Sequence, residues 1–127
     1  MTGGSLITTH SGEMMGAMFA AEPDWSAPPY FHVVADVEAE PPCVAVWGEL
    51  DLASVAAFRD ALNEVLEIRP RELLIDLTQV TFIGSTGIRE LVRVHREVER
   101  IQLRVGTGIV LRALETAALS ELFVIVE

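Results

Sequence analysis

From residue 30 onward the hydrophobic and polar positions change rhythm several times, and each change marks an element. Phe31, Val33, Ala35 and Val37 alternate with His32, Asp36 and Glu38, the two-residue period of a half-exposed strand. Pro41 and Pro42 break that strand. Residues 43–47 are apolar without interruption, which predicts a second strand with both faces covered. Gly48-Glu49-Leu50-Asp51 then turns the chain. Val55, Phe58, Leu62, Val65 and Leu66 share one stripe, opposite Arg59, Asp60, Asn63, Glu64 and Glu67, so a helix follows. Asp51 or Ser54 is placed to cap its start, and Pro70 to end it. Residues 73–75 form a third apolar strand, again without alternation. Ile88, Leu91, Val92 and His95 predict the buried face of a second helix, and Leu103 with Val105 a fourth strand. Gly106-Thr107-Gly108 reads as a turn. Val110, Leu111, Leu114 and Ala117 predict a third helix, and residues 123–126 a last strand. Apolar strands alternating with helices predict an α/β fold, a mixed sheet of about four to five strands with helices packed on it.

Residues 1–29 are different. They are rich in Gly, Ser, Thr and Pro and hold no period, so they read as an N-terminal extension ahead of one domain, residues 30–127. Residues 14–21, M-M-G-A-M-F-A-A, fall well short of the ~20 apolar residues of a membrane span. They lack the basic flank of a secretory signal. They read as a loose tail or a small docking patch.

Charge narrows the partners. The 127 residues carry nineteen acidic and nine basic side chains, all nine arginine, for a net charge of -10. Such a surface repels phosphate backbones and anionic membranes, so neither nucleic acid nor membrane is expected as a partner. A partner offering positive charge is expected instead. The single cysteine, Cys43, excludes an internal disulfide and fits a reducing cytoplasm. It reads as a small apolar residue at a strand start, with a redox-linked dimer as the alternative.

The most unusual stretch is residues 80–90, V-T-F-I-G-S-T-G-I-R-E. Two hydroxyls, Ser85 and Thr86, lie between Gly84 and Gly87 at the mouth of a predicted helix. Helix capping explains one hydroxyl. It does not explain Gly87, which costs about 1 kcal/mol inside a helix and removes bulk where something must come close. Capping and a docking or modification site both remain open at this point. Downstream, Arg89, Arg93, Arg96 and Arg100 recur at helical spacing, predicting one exposed face. That face is either solvated, with local pairs such as Arg93 to Glu97, or a stripe that contacts a partner.

Other chemistries fail on their residues. A Walker-type phosphate loop needs a lysine, and the chain has none. The spacing around Ser85 is not Gly-x-Ser-x-Gly. Gly106-x-Gly108 lacks the third glycine of a dinucleotide fingerprint, with Leu111 in its place. His10, His32 and His95 are scattered, and no carboxylates pair as acid and base. No enzyme, metal or cofactor is expected.

Three ordered segments carry a resemblance. Residues 46–52, V-W-G-E-L-D-L, are similar to a V-x-G-E-L-D-L turn. Asp76-Leu77 followed by residues 80–87, V-T-F-I-G-S-T-G, is similar to D-L-x-x-V-x-F-I-D-S-[ST]-G. Residues 111–123 are similar to a closing helix and strand. Together they resemble the STAS domains of bacterial anti-sigma factor antagonists, from about residue 30 to the end. The resemblance implies a mixed sheet with the phosphoacceptor at the N-terminus of the second helix. It implies a protein that binds an anti-sigma factor, itself a serine/threonine kinase, and so frees a sigma factor. Phosphorylation by that kinase would release the antagonist, and a PP2C-like phosphatase would reset it. The implied acceptor is the hydroxyl before the glycine, Thr86, with Ser85 as the fallback. The implied contact surface comprises Gly48, Glu49, Asp51, Gly84, Ser85, Thr86 and Gly87, extended by Arg89 and Arg93. A cytoplasmic monomer or weak dimer is expected. One position departs: the family aspartate before the hydroxyls is Gly84 here. That opens the alternative of a docking module in a larger signalling assembly that is never phosphorylated.

Overall fold

The computed structural model describes residues 8–9, 31–106 and 108–126; the readings of residues 14–21 and of Thr107 fall outside them. The elements in order are β1 (Thr8–Thr9), β2 (Phe31–Asp36), β3 (Cys43–Leu50), α1 (Val55–Leu66), β4 (Glu72–Ile83), α2 (Ser85–His95), β5 (Arg100–Arg104), α3 (Gly108–Thr116), a short 3-10 turn (Ser120–Leu122) and β6 (Val124–Val126). They build one mixed sheet in the order β1-β2-β3-β4-β5-β6. The first three strands are antiparallel neighbours, and β3 through β6 are parallel. β1 is two residues long, so five strands make the body of the sheet.

This order decides where the helices go. Each of α1, α2 and α3 crosses from one parallel strand to the next, and such crossovers are right-handed. The order always steps the same way, so all three helices lie on one face. Burial follows. Val33, Ala35, Val44, Val46, Leu73, Ile75, Leu77, Ile101 and Leu103 point under the helices and are buried with Phe58, Leu62, Leu91 and Leu114 in one core. The residues between them, Ala45, Trp47, Leu74 and Asp76, are only partly covered.

Two expectations are thereby corrected. Residues 43–47 and 73–75 are apolar throughout, yet they alternate between buried and half-exposed. Their second face carries no helix among the described residues. The third strand is also longer than its apolar run: β4 continues through Asp76, Thr78 and Gln79 to Ile83. Polar residues survive in its middle because they face outward. Asp76 Oδ1 accepts hydrogen bonds from the Thr78 amide (3.0 Å) and hydroxyl (2.7 Å), and Arg104 approaches its other oxygen at 3.7 Å.

Helix α2 is rotated from the expected face. Its buried residues are Gly87, Glu90, Leu91 and Val94, while Ile88, Val92 and His95 are half-buried. His95 meets the edge of the Phe123 ring at 5.6 Å. The unexpected member is Glu90, only 4% exposed. Its carboxylate accepts from Arg59 Nε at 3.0 Å and Arg93 Nε at 2.9 Å, and Arg93 also donates to Asn63 Oδ1 at 2.9 Å. Glu90 therefore ties α2 to α1. The expected Arg93–Glu97 pair is present at 3.7 Å. The basic stripe is corrected as well. The helix stops at His95, Arg100 belongs to β5 and pairs with Glu72 at 3.0 Å, and Arg93 is held inward by Glu90.

Cys43 sits half-buried on the helix-free face. Burial and the carboxylates of Asp76 and Asp36 push its thiol up to about 11, against the pull of Arg104. The thiolate is the reactive form, so about one thiol in a thousand is ionised at pH 8. This works against the redox-linked dimer.

Two outcomes test this account. Glu90→Ala is expected to lower the unfolding free energy in urea by about 2–3 kcal/mol. That is at or below the lower edge of the range for a broken buried ion pair, because both guanidiniums keep part of their hydration. Native Cys43 is expected to react with iodoacetamide at pH 8 at least about tenfold more slowly than in the urea-unfolded chain, read by intact mass.

Candidate functional site

Parallel β3 and β4 end together. Leu50 pairs with Ile83, and the Gly84 amide donates to the Leu50 carbonyl at 2.9 Å. The loop after β3 and the start of α2 therefore lie side by side, at the carboxyl ends of the parallel strands, where α/β sheets place their sites. Of the predicted residues, Glu49 and Asp51 flank Leu50 and so come close to Gly84 and the hydroxyl pair, while Gly48 lies further down, opposite Val80.

Each has a local reason for its position. Gly48 is buried with φ 99°, a left-handed conformation that favours glycine, so its role is to bend β3. Its burial leaves it little surface to offer a partner. Glu49 is exposed, and its carbonyl accepts from Ser54 Oγ at 2.7 Å. Asp51 Oδ1 accepts from the Ala53 amide at 3.1 Å, and its carbonyl from the Val55 amide at 2.9 Å. Ser54, the N-cap residue of α1, uses its hydroxyl in this turn rather than as a side-chain cap. The turn is self-contained, which leaves the Glu49 side chain and Leu52 facing out.

The hydroxyl pair is a different case. Gly84 is the N-cap of α2, with φ -98° and ψ -178°, and no side chain caps the helix. Capping was one reading of Ser85 and Thr86, and the helix does not use them so. Neither hydroxyl has a hydrogen-bond partner among the described residues. Ser85 is exposed and Thr86 half-buried. The first amides of α2 have no intrahelical acceptor, so this corner favours negative charge. Gly87 is corrected outright. The group that comes close to it is the protein's own core: a Cβ there would lie 2.8 Å from Leu50 Cγ and 3.1 Å from Ile83 Cγ1. Gly87 seats the helix and does not open a path for a partner. Gly84 is free of that constraint. A Cβ there meets the Phe82 ring at 3.4 Å and the Leu50 carbonyl oxygen at 3.9 Å, ordinary contact distances, so the family aspartate would fit.

Sequence reasoning missed the apolar surroundings. Leu52 is 78% exposed, Phe82 49% and Ile109 47%, and each stands at or just beyond the carboxyl end of a parallel strand. Phe82 was open to detection, because adjacent Phe82 and Ile83 cannot both face one side of a regular strand. Between β4, α2 and α3 runs an open groove of about 640 Å³, with Phe82, Ile83, Ile88, Ile109, Ala113 and Arg112 in its walls. Among the described residues no cluster of His, Cys, Asp and Glu is arranged to hold a metal ion.

The contrast between the two glycines is measurable. Gly87→Ala is expected to cost up to about 2 kcal/mol in urea unfolding, because crowding of about 1–3 kcal/mol offsets the helix-propensity gain of about 1. Gly84→Asp is expected to be neutral or to stabilise by a few tenths of a kcal/mol, roughly the margin by which aspartate caps better than glycine.

A family model for the STAS domain matches residues 32–124. Two strains of Mycobacterium tuberculosis carry an anti-sigma-F factor antagonist, RsfB, that is 38% identical over 69 residues, 54% of this chain and 54% of the relative. The chain spans about half the length of the curated relatives it matches. Among solved structures, an anti-sigma factor antagonist from Mycobacterium paratuberculosis superposes with a TM-score of 0.72 at 24% identity, over 79% of this chain and 88% of that one. The unphosphorylated antagonist SpoIIAA superposes with a TM-score of 0.55 at 18% identity, over 67% and 80%. Both share the fold. With most of its length inside the family match, the chain belongs to the STAS domain family.

Proposed function

We propose that this protein is an anti-sigma factor antagonist that docks its anti-sigma factor on the corner formed by Glu49, Asp51, Leu52, Phe82, Gly84 and Ser85, and is released by phosphorylation there. The observation that carries the reading is Ser85: an exposed hydroxyl in the first turn of α2 that the fold does not use. Its exposure makes it our first choice of acceptor over half-buried Thr86. The Ser85 oxygen would bond to the γ-phosphorus of ATP as the bond to ADP breaks, and its proton would pass to a base supplied by the kinase. The exposed apolar groups around it suit a protein partner.

The energetics fit a switch. Phosphate adds about -1.5 to -2 charges. At a helix N-terminus such charge is favoured by roughly 0.3–2 kcal/mol, so the domain stays folded. Pressed against a partner without compensation, it costs about 3–5 kcal/mol. Full displacement of a two-state population needs about 5.5 kcal/mol, so the penalty nearly empties the complex. A resetting PP2C-like phosphatase completes the cycle, in a cytoplasmic setting.

A second reading is favoured by Gly84. Nothing steric forbids an aspartate there, so its absence suits a STAS module that docks permanently.

The test uses the full chain immobilised and challenged with lysate of the source cells. We expect retention of a protein with a kinase domain that also binds a sigma factor, its elution by ATP, and an 80 Da gain confined to variants keeping Ser85, the mass of one phosphoryl group, ~80 Da. Ser85→Glu should lose retention at unchanged melting temperature. Retention without mass gain establishes the permanent docking module. Retention of no sigma-binding protein rejects both readings.

A further inference from the structure

We infer that the groove beside Ser85 selects its partner by charge: Arg112 and Arg89 take carboxylates flanking an apolar helix of the anti-sigma factor, and a phosphate on Ser85 competes with that helix for Arg89. The inference rests on the antagonist reading and adds the chemistry of the contact.

The arginines divide into two groups. Arg59, Arg71, Arg93, Arg100 and Arg104 each have a carboxylate within 4 Å. The guanidiniums of Arg69, Arg89, Arg96 and Arg112 have no hydrogen bond or ion pair among the described residues. Among the described residues four of the nine guanidiniums are thus unpaired, on a chain of net charge -10. Glu115 lies one turn beyond Arg112 on α3 and does not take it. Arg112 stands in the groove wall beside Ile109 and Ala113. Arg89 is exposed four residues after Ser85, so the two share one face of α2. The groove rim thus carries two unpaired positive groups, while the acidic Glu49 and Asp51 lie on the corner formed with Ser85.

The groove walls specify the occupant's form. At the groove β4 is paired with β3 on one side, while its ladder with β5 stops at Asp76 and Arg104, and residues of α2 and α3 wall the space beyond. The result is a trough between two helices, walled by Phe82, Ile88, Ile109 and Ala113, which suits the apolar stripe of an amphipathic helix. Guanidiniums bind carboxylates through paired N–H donors, and rim charges set specificity and salt dependence. A phosphoserine offers a denser negative charge one turn from Arg89, inside the molecule and at high effective concentration. The same side chain then serves the bound state and the released state.

The experiment measures affinity of the purified, captured anti-sigma factor for the full chain across a salt series. Variants are Arg89→Glu, Arg112→Glu and Arg96→Glu, the last a free arginine at the far end of α2. Arg89→Glu and Arg112→Glu are expected to weaken binding at least tenfold at low salt and to flatten the salt dependence. Arg96→Glu should stay within twofold, and all three should melt like the wild type. The loss caused by Ser85→Glu should shrink in an Arg89→Ala background. Equal binding by all three variants overturns the inference and leaves the antagonist reading standing. Equal weakening by all three shows unspecific charge attraction and overturns it too. If the wild type captures no anti-sigma factor, the reading itself falls, and this inference with it.

Discussion

Leu50 and Ile83 end their strands opposite one another, and the Gly84 amide bridges to the Leu50 carbonyl. Most of the site follows from that junction. It fixes where α2 begins, and α2 can begin there only because Gly87 lets the helix settle on the Leu50 side chain. Leu50 is wholly buried, so the helix rests on the core and not on a loop. Ser85 is thus held on a rigid support, although the segment around it is short and made of small residues. Rigid presentation suits a residue that must be read by another protein, because no ordering is needed when the contact forms.

Charge is used in three ways. On the helix-free face it pairs locally across strands, as in Glu72 with Arg100 and Asp76 with Arg104. Between α1 and α2 it is buried at Glu90, whose two arginine partners fix the angle of the helix that carries Ser85. Around the groove it is left unpaired. Evenly spaced arginines on one helix therefore do unlike jobs. Arg93 braces α2 from within, while Arg89, one turn earlier, faces outward.

Much of this was legible in the chain. Element order and type came from periodicity, because βαβ units repeat the same alternation of apolar strand and amphipathic helix. The hydroxyl pair stood out because a helix rarely tolerates glycine without cause. Three things were hidden. Uninterrupted apolar runs at residues 43–47 and 73–75 suggested two covered faces, and only the strand order reveals that one is open. Glu90 looked like any surface glutamate, since its burial depends on Arg59 thirty-one positions away. Gly87 showed that something comes close, but spacing along the chain cannot say whether that group is foreign or the protein's own. Its neighbour is Leu50, supplied by another strand.

The strand order has a kinetic side as well. Every strand pairs with the one before it in the chain, so each new segment finds its partner already in place as it leaves the ribosome. Loop-closure entropy stays small at each step, and no strand waits for a distant mate. The three-residue β6 comes last and adds only a narrow strip at the margin of a sheet that is otherwise complete. Assembly by successive addition keeps sticky edges short-lived during synthesis, which is when a small acidic regulator is most exposed to mispairing with its own copies.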